Sequence, residues 1–320
     1  MSSTREREVW RIARGEDDYP AALLDLADEA PHALFGCGRR RLIGELDPQA
    51  TVTIVGSRHP SAYGLEVAEE LGHLLAAAGL VVVSGMALGI DAAAHRGALA
   101  GNGATVAVLG GGPDVVYPRS ERRLYERIVA KGAVVSEVAE GTAPGPGCFP
   151  KRNRIMAALA AMTVVVEAAE PSGTLITAKW AYKLGREVGA VPGRVTSRVA
   201  KGTNALLSDG AAVVRDAQDV LDLLLGVGMT SARRSGPPLE PELAQVADVV
   251  DGGAATPDAV ALAAGIDAGE AAVALARLEL MGYLRVDGAG RYERTALNPP
   301  GEEPSTTLGP CAPSNRSRSA

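Results

Sequence analysis

The chain has 320 residues, too many for one ordinary domain, and 47% hydrophobic with 22% charged residues is typical of a globular protein, not a disordered one. Its three cysteines, Cys37, Cys148 and Cys311, lack metal-type spacing and are too few for a disulfide scaffold, so we expect a reducing compartment without a metal or cofactor. The charged N-terminus predicts no signal peptide, and no apolar run approaches the roughly 18 residues of a membrane span. We therefore expect a cytoplasmic protein.

The net charge of −6 would argue against nucleic-acid binding, but the charge is unevenly distributed. Residues 51–225 carry 17 basic and 16 acidic side chains, whereas residues 240–294 carry four basic and ten acidic ones. The middle of the chain is therefore balanced, and the acidity is concentrated near the C-terminus.

Residues 1–50 predict a lead-in with a short helix and the turn-rich stretch Pro31–Gly38. From residue 51, Val-rich runs that are apolar on both faces alternate with helical patterns, which is typical of buried parallel strands joined by helices. The predicted strands are Val52–Val55, Leu80–Val83, Thr105–Leu109, Ala133–Ser136, Thr163–Glu167, Glu187–Val191 and Ala211–Val214. The predicted helices are Leu65–Ala78, Asp91–Leu99, Glu121–Ala130, Arg154–Ala161 and Thr174–Leu184. This order predicts an α/β fold, a Rossmann-like doubly wound sheet, mainly parallel, over residues 51–225.

The remaining sequence predicts a second, smaller domain. Residues 226–239 are rich in Gly and Pro and are interpreted as a linker. Helical patterns at Glu240–Val250, Pro257–Ala264 and Asp267–Met281, followed by a hairpin, predict a winged-helix domain over residues 240–294. Residues 295–320 are predicted to be a disordered tail.

Small and basic residues follow the predicted strands, where an open α/β sheet binds its ligands. Gly56, Ser57 and Arg58 follow the first strand, Arg119 lies after the third, and Ser172 and Gly173 precede a helix that carries Lys179. Glycines allow close approach of a ligand, and helix N-termini offer free N–H groups, so this edge predicts a phosphate-binding surface. Tight turns alone would explain any single one of these glycines.

The segment Phe149–Arg154 is the most specific local signal. Its cations Lys151, Arg152 and Arg154, with Asn153, accompany one of only two phenylalanines, between a Pro-rich loop and a helix. A protein that binds single-stranded nucleic acid needs cations that neutralise the phosphates and an aromatic ring that stacks on a base. The alternative is a solvated charged segment whose phenylalanine packs into the core.

The order of these motifs resembles the DNA-processing protein A family (DprA/Smf). The segments that carry the resemblance are Val55–Arg58, Ser84–Asp91, Ala94–His95, Tyr117–Pro118, Ser136–Glu137, Phe149–Ile155, Val166–Ala168, Ser172–Ala178, Ala190–Gly193, Lys201–Asn204 and Gly210–Ala211. The match runs in register over about residues 50–225, and Asp18–Pro20 with Pro31–Gly38 resembles the lead-in of the family.

The resemblance implies a non-catalytic protein that binds single-stranded DNA, forms a homodimer and loads RecA recombinase during natural transformation. It places Gly56, Ser57, Arg58, Phe149, Arg152, Asn153 and Arg154 at the DNA groove, with Ser172, Gly173 and Lys179 as neighbours. Many members begin with a helical domain of the sterile-alpha-motif type, which we expect here to be absent or vestigial. Only some members carry a C-terminal winged-helix domain.

Two other functions compete with this interpretation. A nucleoside-monophosphate phosphoribohydrolase of the lysine-decarboxylase-like group would need an acid–base glutamate where this sequence has Thr177. The hydroxyl of threonine cannot do the proton-transfer chemistry of that carboxylate. A winged-helix transcription factor would need a basic recognition helix, but Asp267–Met281 has three acidic residues and one Arg. Asp91 and His95 are four residues apart and could form an acid–base or metal-binding pair. The interpretation that we favour is an aspartate at the start of a helix and a histidine in the core.

Overall fold

The computed structural model describes residues 8–145, 147–227, 234–235, 238–286, 290–295 and 297–298. Contacts divide the chain into two units, Met1–Ala232 and Arg233–Ala320, and the division falls inside the stretch predicted to be a linker. The predicted tail, residues 295–320, lies outside the described residues except for Thr295, Leu297 and Asn298.

A nine-stranded sheet forms the first unit. Its strands are β1 (Trp10–Ala13), β2 (Ala33–Gly38), β3 (Thr51–Val55), β4 (Val81–Ser84), β5 (Thr105–Val108), β6 (Ala133–Ser136), β7 (Met162–Val165), β8 (Glu187–Ala190) and β9 (Ala212–Val213). Their spatial order is β1-β2-β6-β5-β4-β3-β7-β8-β9. The pairs from β6 to β9 are all parallel, as predicted. The chain therefore builds outward from β3 to β6 and then returns to place β7 beside β3, which creates a topological switch point between these two strands.

Helices alternate with these strands, because apolar residues recur at helical spacing between the Val-rich runs. They are α1 (Arg40–Gly44), α2 (Ala62–Ala77), α3 (Ile90–Ala100), α4 (Arg122–Lys131), α5 (Cys148–Leu159), α6 (Thr174–Lys183), α7 (Lys201–Ser208) and α8 (Ala217–Leu225). The central strands β3, β5, β6 and β7 are buried along their whole length, which explains why their sequences are apolar on both faces.

The prediction for Pro31–Gly38 was wrong, because most of this stretch is the strand β2. It pairs antiparallel with β6 on one side and with β1 on the other. The indole ring of Trp10 covers Gly36, where an added Cβ would lie 2.2 Å from the ring. Two glycines and a preceding proline make the sequence of this strand resemble a turn. In the structure, the Trp10 ring fills the space over Gly36 that a side chain would otherwise occupy. The sheet therefore begins at Trp10, and the predicted domain start at residue 51 was also wrong.

The second unit contains the predicted winged-helix elements. They are α9 (Pro241–Asp251), α10 (Pro257–Ala264), α11 (Ala268–Leu280) and the antiparallel strands β11 (Leu284–Val286) and β12 (Tyr292–Arg294). The short strands β10 (Arg234–Ser235) and β13 (Leu297–Asn298) pair parallel. Its own core includes Leu243, Val260, Leu275 and Tyr283. Among the described residues no single helix is long and apolar enough to cross a membrane, although the bent pair of α10 and α11 meets the criterion by length and composition.

Helices α2 and α3 pack with unusually close backbones. A Cβ added to Gly97 would lie 2.0 Å from the carbonyl oxygen of Glu69, and one added to Gly72 would lie 2.3 Å from that of Ala94. Because the obstructing atoms are backbone, a side chain at either position forces the helices apart.

We therefore predict that Gly97→Ala lowers the free energy of unfolding by about 1–3 kcal/mol, despite the better helix propensity of alanine. Thermal melting measures the change. Gly173→Ala is the matched control, because an added Cβ there has no atom within 4 Å. Equal melting temperatures for the two variants would contradict the packing argument.

Candidate nucleic-acid interface

A cavity of about 440 Å³ lies at the switch point between β3 and β7. Its lining comprises residues 55–58 at the end of β3, residues 171–174 after β7, and the single residues Ala87, Asp91, Phe149, Pro150, Arg152, Asn153, Met156, Ala169 and Thr177. We call this the switch-point cavity. Its position agrees with the rule that ligands of open α/β sheets bind beyond the carboxyl ends of the strands at such a point.

Arg152 anchors α5 beneath this cavity. The predicted helix began at Arg154, but α5 begins at Cys148, so the helix starts six residues earlier than predicted and includes Phe149 to Asn153. Pro150 is compatible with the first helical turn because the N–H groups there have no partner within the helix. The helix places the side chain of Arg152 in the interior, where only 4% of the residue is exposed.

The guanidinium of Arg152 ties α5 to the ends of two strands. It donates hydrogen bonds to the carbonyl oxygens of Gly85, at 2.6 Å, and Val108, and its Nη2 lies 3.7 Å from a carboxylate oxygen of Asp91. A Cβ on Gly85 would lie 2.0 Å from the guanidinium, so a side chain at this position would displace Arg152 from these contacts.

The charges of this buried pair are altered by their surroundings. Burial above all lowers the pKa of Arg152 to about 10, with the charge of Arg58 acting in the same direction and Asp91 opposing it. Arg152 thus stays cationic at neutral pH. Burial raises the pKa of Asp91, and the charge of Arg152 with backbone N–H groups of Ala87 and Gly56 counteracts this.

His95 has no place in the cavity. Burial above all, with the charges of Arg152 and Arg96, lowers its pKa to about 3, so the ring is neutral. The Thr105 hydroxyl donates to the carbonyl oxygen of Val82 at 2.6 Å, so His95 Nδ1 donates to that hydroxyl at 2.7 Å. His95 and Asp91 thus have different partners, since Asp91 pairs with Arg152. No group of three or more metal-ligating His, Cys, Asp or Glu side chains occurs in the described part of the chain.

Phe149 stands at the rim, bordered by an aromatic ring and a cation. Its ring centroid lies 5.3 Å from that of Tyr117, and Arg58 Cζ lies 5.1 Å from the Phe149 centroid. Phe149 is only half-buried, whereas Arg58 is exposed and Tyr117 is 46% exposed. The same ring also borders a second, smaller cavity of about 60 Å³, which Tyr117 lines. An exposed aromatic edge beside a cation is suited to stacking a base next to its phosphate.

Eight of the twelve predicted site residues line the switch-point cavity: Gly56, Ser57, Arg58, Phe149, Arg152, Asn153, Ser172 and Gly173. Four do not: Arg119, Lys151, Arg154 and Lys179. Arg119, Lys151 and Lys179 are exposed, although the Nζ of Lys151 lies 3.5 Å from Oε2 of Glu137. Sequence reasoning omitted Tyr117, Asp91 and Thr177 from the site, although all three lie in the motifs that carried the family resemblance.

Arg154 is directed away from the cavity and supports the fold. It donates to Glu137 Oε1 and Oε2 at 3.0 and 2.6 Å, and to the carbonyl oxygens of Glu29 and Lys151 at 2.7 Å each. Burial raises the pKa of Glu137, but hydrogen bonds and charges from Arg154 and Lys151 outweigh it, and the pKa lies below its ordinary value of 4.5. The pair fastens α5 to β6 and to the lead-in.

Two family models match this chain. The model of DNA recombination-mediator protein A covers residues 10–225, and the model of the DprA winged helix domain covers residues 230–290. A putative DNA processing protein DprA from Mycobacterium tuberculosis is 41% identical over 272 residues, which are 83% of this chain and 69% of that protein.

Solved structures are similar as well. DNA processing protein A from Streptococcus pneumoniae is 39% identical, with a TM-score of 0.62 over 68% of this chain and 74% of that one. DNA processing protein A from Helicobacter pylori, a structure that describes a single-stranded DNA binding mode, is 29% identical, with a TM-score of 0.61 over 69% of this chain and 97% of that one.

The partly buried ion pair of Arg154 and Glu137 yields a pH-dependent prediction. Because the pKa of Glu137 is lowered in the folded state, its stabilisation is fully present above pH 4.5 and is lost as the pH falls through the folded-state value. Glu137→Gln should lower the free energy of unfolding at pH 7 by about 1–3 kcal/mol, because it leaves Arg154 without its charged partner, and by less at pH 3.

Urea unfolding at both pH values measures this difference. Glu45→Gln is the control, because Glu45 pairs with Arg41 on an exposed helix face and should cost less than about 0.5 kcal/mol. A Glu137→Gln cost that is as small as the control, or unchanged at pH 3, would refute the assignment.

Proposed function

Because the chain belongs to the DNA recombination-mediator protein A family, we propose that it binds single-stranded DNA without catalysis, along the carboxyl ends of the strands around the switch-point cavity. The observation that carries the proposal is the rim, where Phe149 lies between Tyr117 and Arg58. An aromatic ring stacks any base, and the neighbouring cation neutralises phosphate, so binding has little sequence preference.

The electrostatics of the rim favour a flexible strand. The exposed cations near this edge are Arg58 and Arg119, in the segments after β3 and β5, and Lys151 and Lys179, on helices α5 and α6. Arg152 and Arg154 are buried with internal partners, so in this proposal they position α5, and Asn153 acts with them by bonding Arg152 and the Gly173 carbonyl. In a duplex the faces of the bases are covered by the neighbouring base pairs. Phe149 would then have no base on which to stack.

The proposal extends to the wider role that the family resemblance implied. The protein would protect incoming DNA and load RecA recombinase onto it during natural transformation, as a homodimer in the cytoplasm. The winged-helix unit would have another role than strand binding, since residues 240–294 carry a net charge of −6 and repel a polyanion.

The hydrolase alternative receives less support from the site. Asp91 is the only carboxylate among the described residues that line the cavity, and its partner is Arg152. Position 177, where that chemistry needs a glutamate, supplies a hydroxyl.

Arg58→Ala tests the electrostatic part of the proposal. Fluorescence anisotropy with an oligo-dT probe should show tighter binding to the single strand than to duplex, and affinity that falls steeply with salt. The variant should weaken binding and flatten the salt slope by about one unit. Arg41→Ala, an exposed arginine outside the cavity, should keep the slope of the wild type; a wild-type affinity that does not change with salt would contradict the proposal.

Phe149→Ala tests the stacking part. Loss of a stacked base costs about 1–3 kcal/mol of binding free energy and leaves the salt slope unchanged. A half-buried ring at a rim contributes less to folding than a core phenylalanine, whose removal costs about 3–5 kcal/mol of stability. Melting and binding measured on the same variant separate the two roles. A much lower melting temperature with normal affinity would show that Phe149 is a core residue.

A further inference from the structure

Helix α4 buries one face and exposes a row of cations on the other. Leu124, Tyr125 and Ile128 pack into the core. Exposed cations recur at every fourth position from the short turn before the helix to its last residue, and we call them the cation row: Arg119, Arg123, Arg127 and Lys131. Residues four apart on a helix are neighbours, separated by about 6 Å along the axis, so these side chains form one basic ridge.

The carboxylates beside the cation row are already paired with other arginines. Arg96 Nη1 lies 3.3 Å from Glu121 Oε2, and Arg122 Nε lies 3.1 Å from Glu126 Oε1. The three arginines of the row make no ion pair with the described residues, and its lysine donates to the neutral side-chain amide of Asn102. Like charges four residues apart destabilise a helix, so a bound anion would relieve a repulsion that the fold leaves in place.

A second helix on the same face of the sheet has the opposite charge. Helix α3 packs against both α2 and α4. Helix α2 carries Glu66, Glu69 and Glu70 and no Lys or Arg, whereas α4 carries four basic residues and one acidic residue. A general excess of arginine in the chain would not separate the charges in this way. A polyanion on this flank would therefore be drawn to α4 and repelled by α2.

The cation row begins beside the rim and leads away from it. Arg119 follows Tyr117 by two residues, and the Tyr117 ring lies 5.3 Å from that of Phe149. Helix α4 then runs from the carboxyl end of β5 back toward the start of β6. The twelve residues from Arg119 to Lys131 correspond to roughly 18 Å of helix. An anionic chain that leaves the rim at Tyr117 would thus meet the row directly.

We propose that the cation row is a second binding surface, on the flank of the sheet, which holds the phosphate backbone of a single strand after the strand has left the rim. Arg123, Arg127 and Lys131 contact phosphates alone, so this surface adds affinity without base preference. The inference rests on the proposed function and extends it to a helix face that lies outside the switch-point cavity and outside the strand edge.

The double variant Arg123→Ala/Arg127→Ala tests this surface with two oligo-dT probes, one of about five nucleotides that spans the rim and one of about 20 that extends beyond it. In the full chain we expect the variant to bind the long probe about tenfold more weakly and the short probe within twofold of the wild type. The salt slope for the long probe should flatten by about 1.4, since each phosphate contact on a single strand contributes about 0.7. The melting temperature should stay equal or rise, because two like charges are removed from an exposed face.

Two controls separate the row from general effects of charge. Arg123→Lys/Arg127→Lys keeps both cations and should restore binding of the long probe. Arg277→Ala/Arg285→Ala removes the same net charge from exposed arginines that are paired with Glu240 and Glu293 in the second unit, so its binding should match the wild type.

The outcomes distinguish this inference from the proposed function. If the wild type binds both probes and Arg123→Ala/Arg127→Ala binds the long one within twofold as tightly, the inference is overturned and strand binding stands. Equal losses for the two probes, or an equal loss in the second-unit control, also overturn it. A larger loss for a duplex of about 20 base pairs than for the long single strand would assign the row to duplex DNA instead. Binding of neither oligo-dT probe by the wild type refutes the proposed function and the inference together.

Discussion

The buried guanidinium of Arg152 is the interaction on which the candidate site depends. It joins α5 to the carbonyl oxygens at the ends of β4 and β5 and to Asp91 at the start of α3. A buried charge is stable only when it is paired and hydrogen-bonded, so these contacts fix where α5 lies. Phe149 stands one turn earlier on the same helix, and its position at the rim follows from the anchor below it. A side chain at Gly85 would push the guanidinium out of this position.

The two arginines of this helix therefore have structural roles, although their charges first drew attention to the segment. Arg154 fastens the outer face of α5 to Glu137 and to the backbone of Glu29, and Arg152 fastens its inner face to the strand ends. A helix held on both sides presents a rigid rim, so a strand would meet Phe149, Tyr117 and Arg58 without first ordering a loop. Pre-organisation of this kind supports affinity with few contacts.

The sequence predicted the parallel sheet and its alternating helices because buried strands and amphipathic helices differ in hydrophobic period. It also grouped Gly56–Arg58 with Ser172 and Gly173, since carboxyl ends of parallel strands share an edge. It missed β2, because packing of Trp10 on Gly36 is a contact between distant residues. It did not show that Arg152 and Arg154 are buried, because a run of charged residues does not reveal whether its partners are solvent or, as here, carbonyl groups at the ends of β4 and β5 and in the lead-in. Thr177 was considered only as the residue that replaces a glutamate, because its burial at the cavity is visible only in the structure.

The most direct test of the account is to photocrosslink an oligonucleotide that contains 5-iodouracil to the full chain and to identify the modified residues by mass spectrometry. If a strand lies across the switch-point cavity, crosslinks will concentrate on Phe149 and Tyr117, the aromatic side chains at the rim. Crosslinks confined to the winged-helix unit, or to Trp10 and Trp180 elsewhere on the first unit, would contradict it.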